Sequence, residues 1–216
     1  MILDTYKTHT NERKKEQLPP LPLNPQQTAD LIEYLKDETH QGLDEALNLL
    51  LHKVPAGVDQ AAYIKAGFLN DIANKKITSS VISPEKAIQV LGTMLGGYNV
   101  QALVPLLDSE FADEAVKALS KITLVFDAFH DVVEKHNSGN KSATKLLESW
   151  AQADWFTSKK ELPNEIKLTV FKVDGETNTD DLSPAQNAWS RADIPLHAQS
   201  MLINKMLEGL QLIEDL

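Results

Sequence analysis

Residues 171–197, FKVDGETNTDDLSPAQNAWSRADIPLH, hold the densest run of chemically capable side chains in the 216-residue sequence. Their centre, from Thr177 to Pro184, sets the adjacent carboxylates of Asp180 and Asp181 among hydroxyls and an amide, and Arg191 follows on the same surface. Short Asp, Asn, Thr and Ser side chains bond nearby backbone and fix turns, while Pro184 locks one dihedral and removes a donor. An ordered loop suited to holding a small acidic metabolite is the expectation, since loops of this kind carry function. Read alone, however, Arg191 is a solvated surface arginine, because single arginines usually are. The two carboxylates read as an acid–base pair or metal ligands, but adjacent carboxylates are more often turn and cap residues.

Other candidates are thinner. The six His are scattered, with no pair at the i, i+4 spacing that would suggest zinc; His52, His130 and His136 read as helix-face residues. Zero Cys excludes disulfides, a thiol nucleophile and thiolate ligation of an iron–sulfur cluster by this chain. Gly92, Gly96 and Gly97 lack a preceding strand and a following Lys-Ser/Thr, so a helix stop and a close backbone approach explain them better than a phosphate loop. Trp150, Trp155 and Phe156 read as core or domain-junction packing rather than a partner-binding patch. A net charge of −10 argues against a general nucleic-acid binder, and Arg13-Lys14-Lys15, bracketed by Glu12 and Glu16, reads as a solvated helix face. The sequence offers no apolar run near the ~20 residues of a membrane span and no signal peptide at its start, which makes the cytoplasm the expected compartment.

Positioning that loop falls to a long helical preamble. Leu3, Tyr6, His9 and Arg13 recur at helical spacing on a weakly apolar face, and residues 18–23, LPPLPL, interrupt regular helix. Asn24 before Pro25 opens a second helix with Leu31, Ile32 and Leu35. The stripe Ala46, Leu47, Leu50, Leu51 marks a third. Asp59 caps a fourth that buries Ala62, Ala66, Leu69 and Ile72 or Ala73, and Ser83-Pro84-Glu85 opens a fifth with Ala87, Ile88, Leu91 and Leu95, stopped by Gly96-Gly97. Further helices are expected over 100–107, 111–120, 122–136 and 142–151. Short helices in pairs suggest a HEAT-like stack of helical pairs over residues 1–158. After a boundary at 158–164 the pattern changes. Ile166, Leu168 and Val170 alternate with polar residues through Val173, which predicts a strand, followed by the polar loop and a helix from Pro195 through Met206, Leu210 and Ile213. One strand has no partner for its backbone groups, so residues 165–216 begin an α/β unit without completing it.

Several runs together resemble the N-terminal part of the bacterial aconitate hydratase B family: NERKKEQLPPLPLN, VPAGVDQAAYIKAGFL, SPEKAIQVLGTMLGGYNV, KALSKITLVFDAF, SWAQADWF and FKVDGETNTDDLSPAQNAWSRADIPLHA. The resemblance runs from the start to about Lys205 and ends before MLEGLQLIEDL. It implies a HEAT-like helical domain followed by the start of an aconitase swivel domain. The chemistry it implies is interconversion of citrate and isocitrate through cis-aconitate, and hydration of 2-methyl-cis-aconitate, with a [4Fe-4S] cluster as Lewis acid.

By motif, Arg191 resembles the arginine that binds a substrate carboxylate, a task that a planar, permanently charged fork suits. Asp180 matches the family's active-site loop aspartate in a supporting role, orienting or neutralising a cationic neighbour, and Ser183 resembles a structural loop residue. The cluster cysteines and the catalytic Ser-Arg loop of the family are expected beyond Leu216. That makes this an N-terminal piece, excised, truncated or a relic, holding no catalytic residue and no metal, with Arg191 exposed and idle and no turnover in isolation. The helical part is then expected to meet a protein partner or a second copy. The competing expectation is a free-standing helical module binding protein or, against its acidic charge, mRNA, since the family also includes mRNA binders that act when the cluster is lost.

Overall fold

The computed structural model describes residues 1–205 apart from Gln17, Gly96, Lys159, Lys160, Thr169, Phe171, Ala192 and Asp193. It is mainly helical. The first helix, α1 (Ile2–Lys15), carries Tyr6, His9 and Arg13 on one face, and that face does more than bury apolar surface. The Tyr6 hydroxyl donates to the Leu21 carbonyl at 2.9 Å, the Leu21 amide donates to His9 Nε2 at 3.0 Å, and Arg13 Nε donates to the Pro19 carbonyl at 2.9 Å. The proline-rich strap of residues 18–23 cannot satisfy its own backbone in a helix, so α1 supplies the partners. From its other end the Leu23 amide reaches the Lys53 carbonyl at 2.7 Å. Burial pushes the Tyr6 phenol up to about 12.

The next helices start where their capping residues stand. α2 (Pro25–Lys36) is closed by Asn24, which accepts from the Gln27 amide at 2.8 Å while the Gln27 side chain returns to the Asn24 amide at 3.0 Å. α4 (Gln60–Ala73) takes Asp59 and α5 (Pro84–Leu91) takes Ser83 in the same role. Between them lies α3 (Leu43–His52), whose buried face is Ala46, Leu49 and Leu50; Leu47 and Leu51 are only partly buried, so the seam is turned from the expected stripe. Ala62, Ala66 and Leu69 of α4 are buried as expected, and both Ile72 and Ala73 are buried with them.

The fifth helix ends earlier than expected, at Leu91. A Cβ at Gly92 would lie 2.9 Å from the Ala118 Cβ, so this glycine permits the close approach of the next layer. The fully buried amide of Asn99 then stoppers the helix end, donating to the carbonyls of Leu91 and Met94 at 3.0 and 2.6 Å. α6 (Tyr98–Leu103) runs into a 3-10 turn at Val104–Asp108, followed by α7 (Ala112–Leu119), α8 (Ala128–Asn137) and α9 (Lys141–Ala151). The expected helix over 122–136 thus begins only at Ala128. Ile122 and Val125 sit in an unstructured run with β-branched Thr123 between them, and Phe126 adopts a left-handed conformation, φ 48°, that a helix cannot include.

Packing is serial: α2 lies against α3 and α4, α4 against α5 and α6, α5 against α7, and α7 and α8 against α9. One apolar cluster runs from Leu3 to Leu146 through every layer. Trp150 joins it, donating its indole N–H to the Leu119 carbonyl at 3.1 Å, as junction packing requires. Trp155 and Phe156 do not. They lie on α10 (Asp154–Thr157), which follows Ala153 in a left-handed conformation and leaves both rings exposed.

The expected strand is not found among the described residues. Ile166, Leu168 and Val170 are all exposed, and Thr169 and Phe171 lie outside the described set. Alternation specifies a strand only when a second edge accepts its hydrogen bonds, and the described residues supply no such edge. The α/β part of the expected architecture is therefore absent among the described residues. The expected helix from Pro195 shortens to α12 (Ile194–Ala198) and a 3-10 turn at Ile203–Lys205, separated by Leu202 at φ 60°. Its residues Met206, Leu210 and Ile213 lie outside the described set.

Candidate carboxylate-binding loop

The TDDL run forms a single helical turn, α11 (Thr179–Leu182), because Asn178 and Asp181 close it reciprocally. Asn178 Oδ1 accepts from the amides of Asp180 and Asp181 at 2.9 and 3.1 Å, and the Asp181 carboxylate accepts from the Asn178 amide at 3.0 Å. That backbone bond, followed by the Lys205 ammonium 3.3 Å away, holds the Asp181 carboxyl below the usual aspartate range. Lys205 Nζ also donates to the Glu176 carbonyl, and the Leu202 amide donates to the Asp181 carbonyl at 2.7 Å. The carboxylate that meets a cation in this loop is thus Asp181, while Asp180 stands exposed on the outer side of the turn.

Pro184 is buried and ends α11, and a 3-10 turn, Ala185–Ser190, carries the chain to Arg191. The guanidinium is exposed and is tied to its own loop. Its Nε donates to Ser183 Oγ at 3.3 Å and its Nη2 to the Ser183 carbonyl at 3.0 Å, so one edge of the fork grips a single residue. Ser183 Oγ also lies 2.8 Å from His197 Nε2, and Ser190 Oγ lies 2.8 Å from His197 Nδ1. The structure therefore brings Ser183 and Arg191 together and adds His197 and Ser190, which the sequence reading passed over. Their separations of seven and fourteen residues are helical spacings, but Pro184 and the 3-10 turn between them break any helix, so the signal was the density of Ser and His around the arginine.

This module rests on the helical body. Gln199 Nε2 lies 3.2 Å from His52 Nδ1 at the end of α3, and a groove of about 520 Å³ is lined by Thr10, Lys14, Leu18, Pro19, Ile203 and Asn204. Among the described residues no three His, Asp or Glu side chains converge on a common point that would hold a metal. None of the described helices is long and apolar enough to cross a membrane.

Residues 5–156 match the family model described as "Aconitate B N-terminal domain". The chain belongs to the aconitate hydratase B family. Residues 168–216 of this family member match a second model, "Aconitate hydratase 2 N-terminus". The chain is 51% identical over 218 residues to aconitate hydratase B of Synechocystis sp., an alignment that covers 100% of this chain and 25% of that protein. It is 51% identical over 202 residues to the Pseudomonas aeruginosa enzyme of the same name, with 93% of this chain and 23% of the relative covered, and 50% identical over 211 residues to that of Escherichia coli, with 97% and 24% covered. It spans about a quarter of the length of these family members.

Proposed function

We propose that this chain forms the N-terminal region of an enzyme that interconverts citrate and isocitrate through cis-aconitate and also hydrates 2-methyl-cis-aconitate. The observation that carries the reading is Arg191, an exposed guanidinium held by Ser183 in the middle of the loop that resembles the family's active-site loop. A tricarboxylate brings several negative charges to the site, and a cation that is already oriented loses little freedom on meeting one of them. Because the Nε–Nη2 edge engages Ser183, an incoming carboxylate takes the Nη1–Nη2 edge. Asp180 and Ser183 support the loop, the first at its exposed turn and the second as the bridge to Arg191.

The family's [4Fe-4S] cluster supplies the Lewis acid of the reaction. The residues of this chain do not fit that group, since the chain has no cysteine and no three described His, Asp or Glu side chains converge, so no step of the chemistry is assigned to it. In this reading residues 1–158 are a HEAT-like domain, residues 165–216 begin the swivel domain, and the isolated chain turns over no substrate. The exposed Leu124, Phe126 and Phe129 support a contact of the helical part with another chain or a second copy. The competing RNA-binding reading is opposed by the net charge of −10.

The test replaces the matching N-terminal quarter of the Escherichia coli relative with residues 1–205. The chimera is expected to hydrate aconitate, and Arg191→Gln to lower kcat/KM by about 10- to 100-fold, the size of one lost charge-assisted hydrogen-bonding contact. An Arg191→Gln chimera as active as its parent would sink the reading, as would turnover by the 216-residue chain alone.

A further inference from the structure

We infer that His197 is a positioning residue that fixes the direction of the Arg191 guanidinium, through a chain of hydrogen bonds whose proton arrangement is set from its buried end. Both ends of that chain are chemically unambiguous. At one end a guanidinium only donates, so Ser183 Oγ accepts from Arg191 Nε at 3.3 Å. Ser183 Oγ lies 2.8 Å from His197 Nε2, and its single hydroxyl hydrogen goes to that nitrogen whenever the nitrogen is unprotonated.

At the other end a carbonyl only accepts. Ser190 Oγ donates to the Asn187 carbonyl at 2.8 Å, and Ser200 Oγ donates to the His197 carbonyl at 2.7 Å, so both hydroxyls have committed their hydrogens. Both oxygens face His197 Nδ1, at 2.8 Å for Ser190 and 3.5 Å for Ser200. Nδ1 must therefore carry the proton. In a singly protonated ring this leaves Nε2 as the acceptor for the Ser183 hydroxyl.

The consequence for Arg191 is directional. Ser190 and Ser200 are almost fully buried and His197 is half-buried, so the ring is held from beneath and presents Nε2 outward. Ser183 is drawn to that nitrogen, and its oxygen lone pair is left pointing at Arg191 Nε. The Ser183 carbonyl takes Nη2 at 3.0 Å, which fixes the plane of the guanidinium as well as its position. Without the ring the Ser183 hydroxyl rotates freely and the arginine is tethered by one bond rather than two. The inference deepens the proposed function and depends on it for its meaning in catalysis, while its geometry stands apart from any substrate.

Nitrogen-15 NMR of the 216-residue chain tests it without turnover, because the chain has only two arginines and Arg13 serves as an internal reference. The His197 ring is expected to show a protonated Nδ1 and an unprotonated Nε2. His197→Phe keeps the ring but removes both nitrogens, and is expected to speed exchange of the Arg191 Nε–H about tenfold, the size of one lost hydrogen bond to a charged donor, without changing Arg13. His197→Gln supplies one acceptor and one donor and is expected to restore most of the protection. If His197→Phe disturbs the tail more broadly, Ser190→Ala is the second variant; it leaves Ser183 in place and is expected to mix the two tautomers.

In the chimera, His197→Phe is expected to raise KM for citrate with a smaller change in kcat, and His197→Gln to reverse it. An Nε2–H tautomer, or an Arg191 Nε–H that His197→Phe leaves unchanged, overturns the inference and leaves the proposed function intact. Loss of the Arg191 dependence of the chimera does the reverse.

Discussion

Residues 1–158 hide Leu31, Leu50, Leu69, Ile88, Leu103 and Leu146 almost completely, whereas among the described residues beyond 158 the buried apolar side chains are Leu196 and Pro184. The later region is ordered instead by polar groups: the Asn178–Asp181 box, the Lys205–Asp181 pair and the Ser183–His197–Ser190 bridge. Apolar burial is non-directional and scales with area, so the helical body is held by many interchangeable contacts. Hydrogen bonds add little net stability each but are strict about direction. The contrast fits the division of labour we propose, in which a scaffold needs free energy and a guanidinium that is to meet a carboxylate needs an angle.

The largest break in this contrast comes from the body. Leu50→Ala removes a side chain with no exposed surface, and is expected to cost about 3 kcal/mol in urea unfolding by the combined transfer and cavity terms. Leu196→Ala in the tail should leave the same global midpoint nearly unmoved, which would show that the two regions do not share one cooperative core. An equal loss from both would erase the distinction.

A smaller effect comes from Tyr6, where the body borrows the polar strategy of the tail. Tyr6→Phe keeps the ring but loses the bond to the Leu21 carbonyl, for an expected cost of about 1 kcal/mol. The pH dependence has a definite sign. Because the folded phenol is raised to about 12, the stability it contributes is full below the ordinary value of 10 and is lost as pH rises toward 12. Alkaline titration of the unfolding midpoint should show that loss in the parent and a weaker one in Tyr6→Phe.

The smallest global effect is expected from Asp181→Asn. Its carboxyl is held below the usual range, so its contribution is present above the ordinary aspartate value and lost as pH falls through the lowered one. Amide exchange at Asn178 and Leu202 should rise in the variant at neutral pH, and in the parent only on acidification, with the unfolding midpoint unchanged. A shifted midpoint would mean that the tail carries weight for the body.

The two regions also differed in how far they could be read from sequence. In the body, the caps Asn24, Asp59 and Ser83 and the apolar spacing of α4 are local signals, and each element began where its capping residue stood. The misreadings there came from tertiary demands: Leu49 displaced Leu47 and Leu51 because the neighbours of α3 set its rotation, and the α5 terminus moved to Leu91 because Asn99 reaches back to it. In the tail, Arg191 and Ser183 stood out as residue types, but the partners that orient them are separated by a chain that changes from turn to 3-10 turn to short helix, so no single period joins them. The expected strand is not found among the described residues for a related reason, since alternation encodes one edge and says nothing about the other. Trp155 and Phe156 were misread because side-chain size suggested burial while the left-handed Ala153 turned them outward.

The contact between Gln199 and His52 joins positions 147 residues apart. The bonds between α1 and the proline-rich strap span at most 15 residues. During synthesis the strap and α1 have all their mutual partners as soon as they emerge, and the layers that follow add neighbours in chain order. The segment bearing Arg191 can meet α3 only after every layer between them has been made. The loop thus finds its seat after the helical layers, and a ribosome-stalled chain ending before Gln199 should already protect those layers while the surface around His52 is still open to proteases.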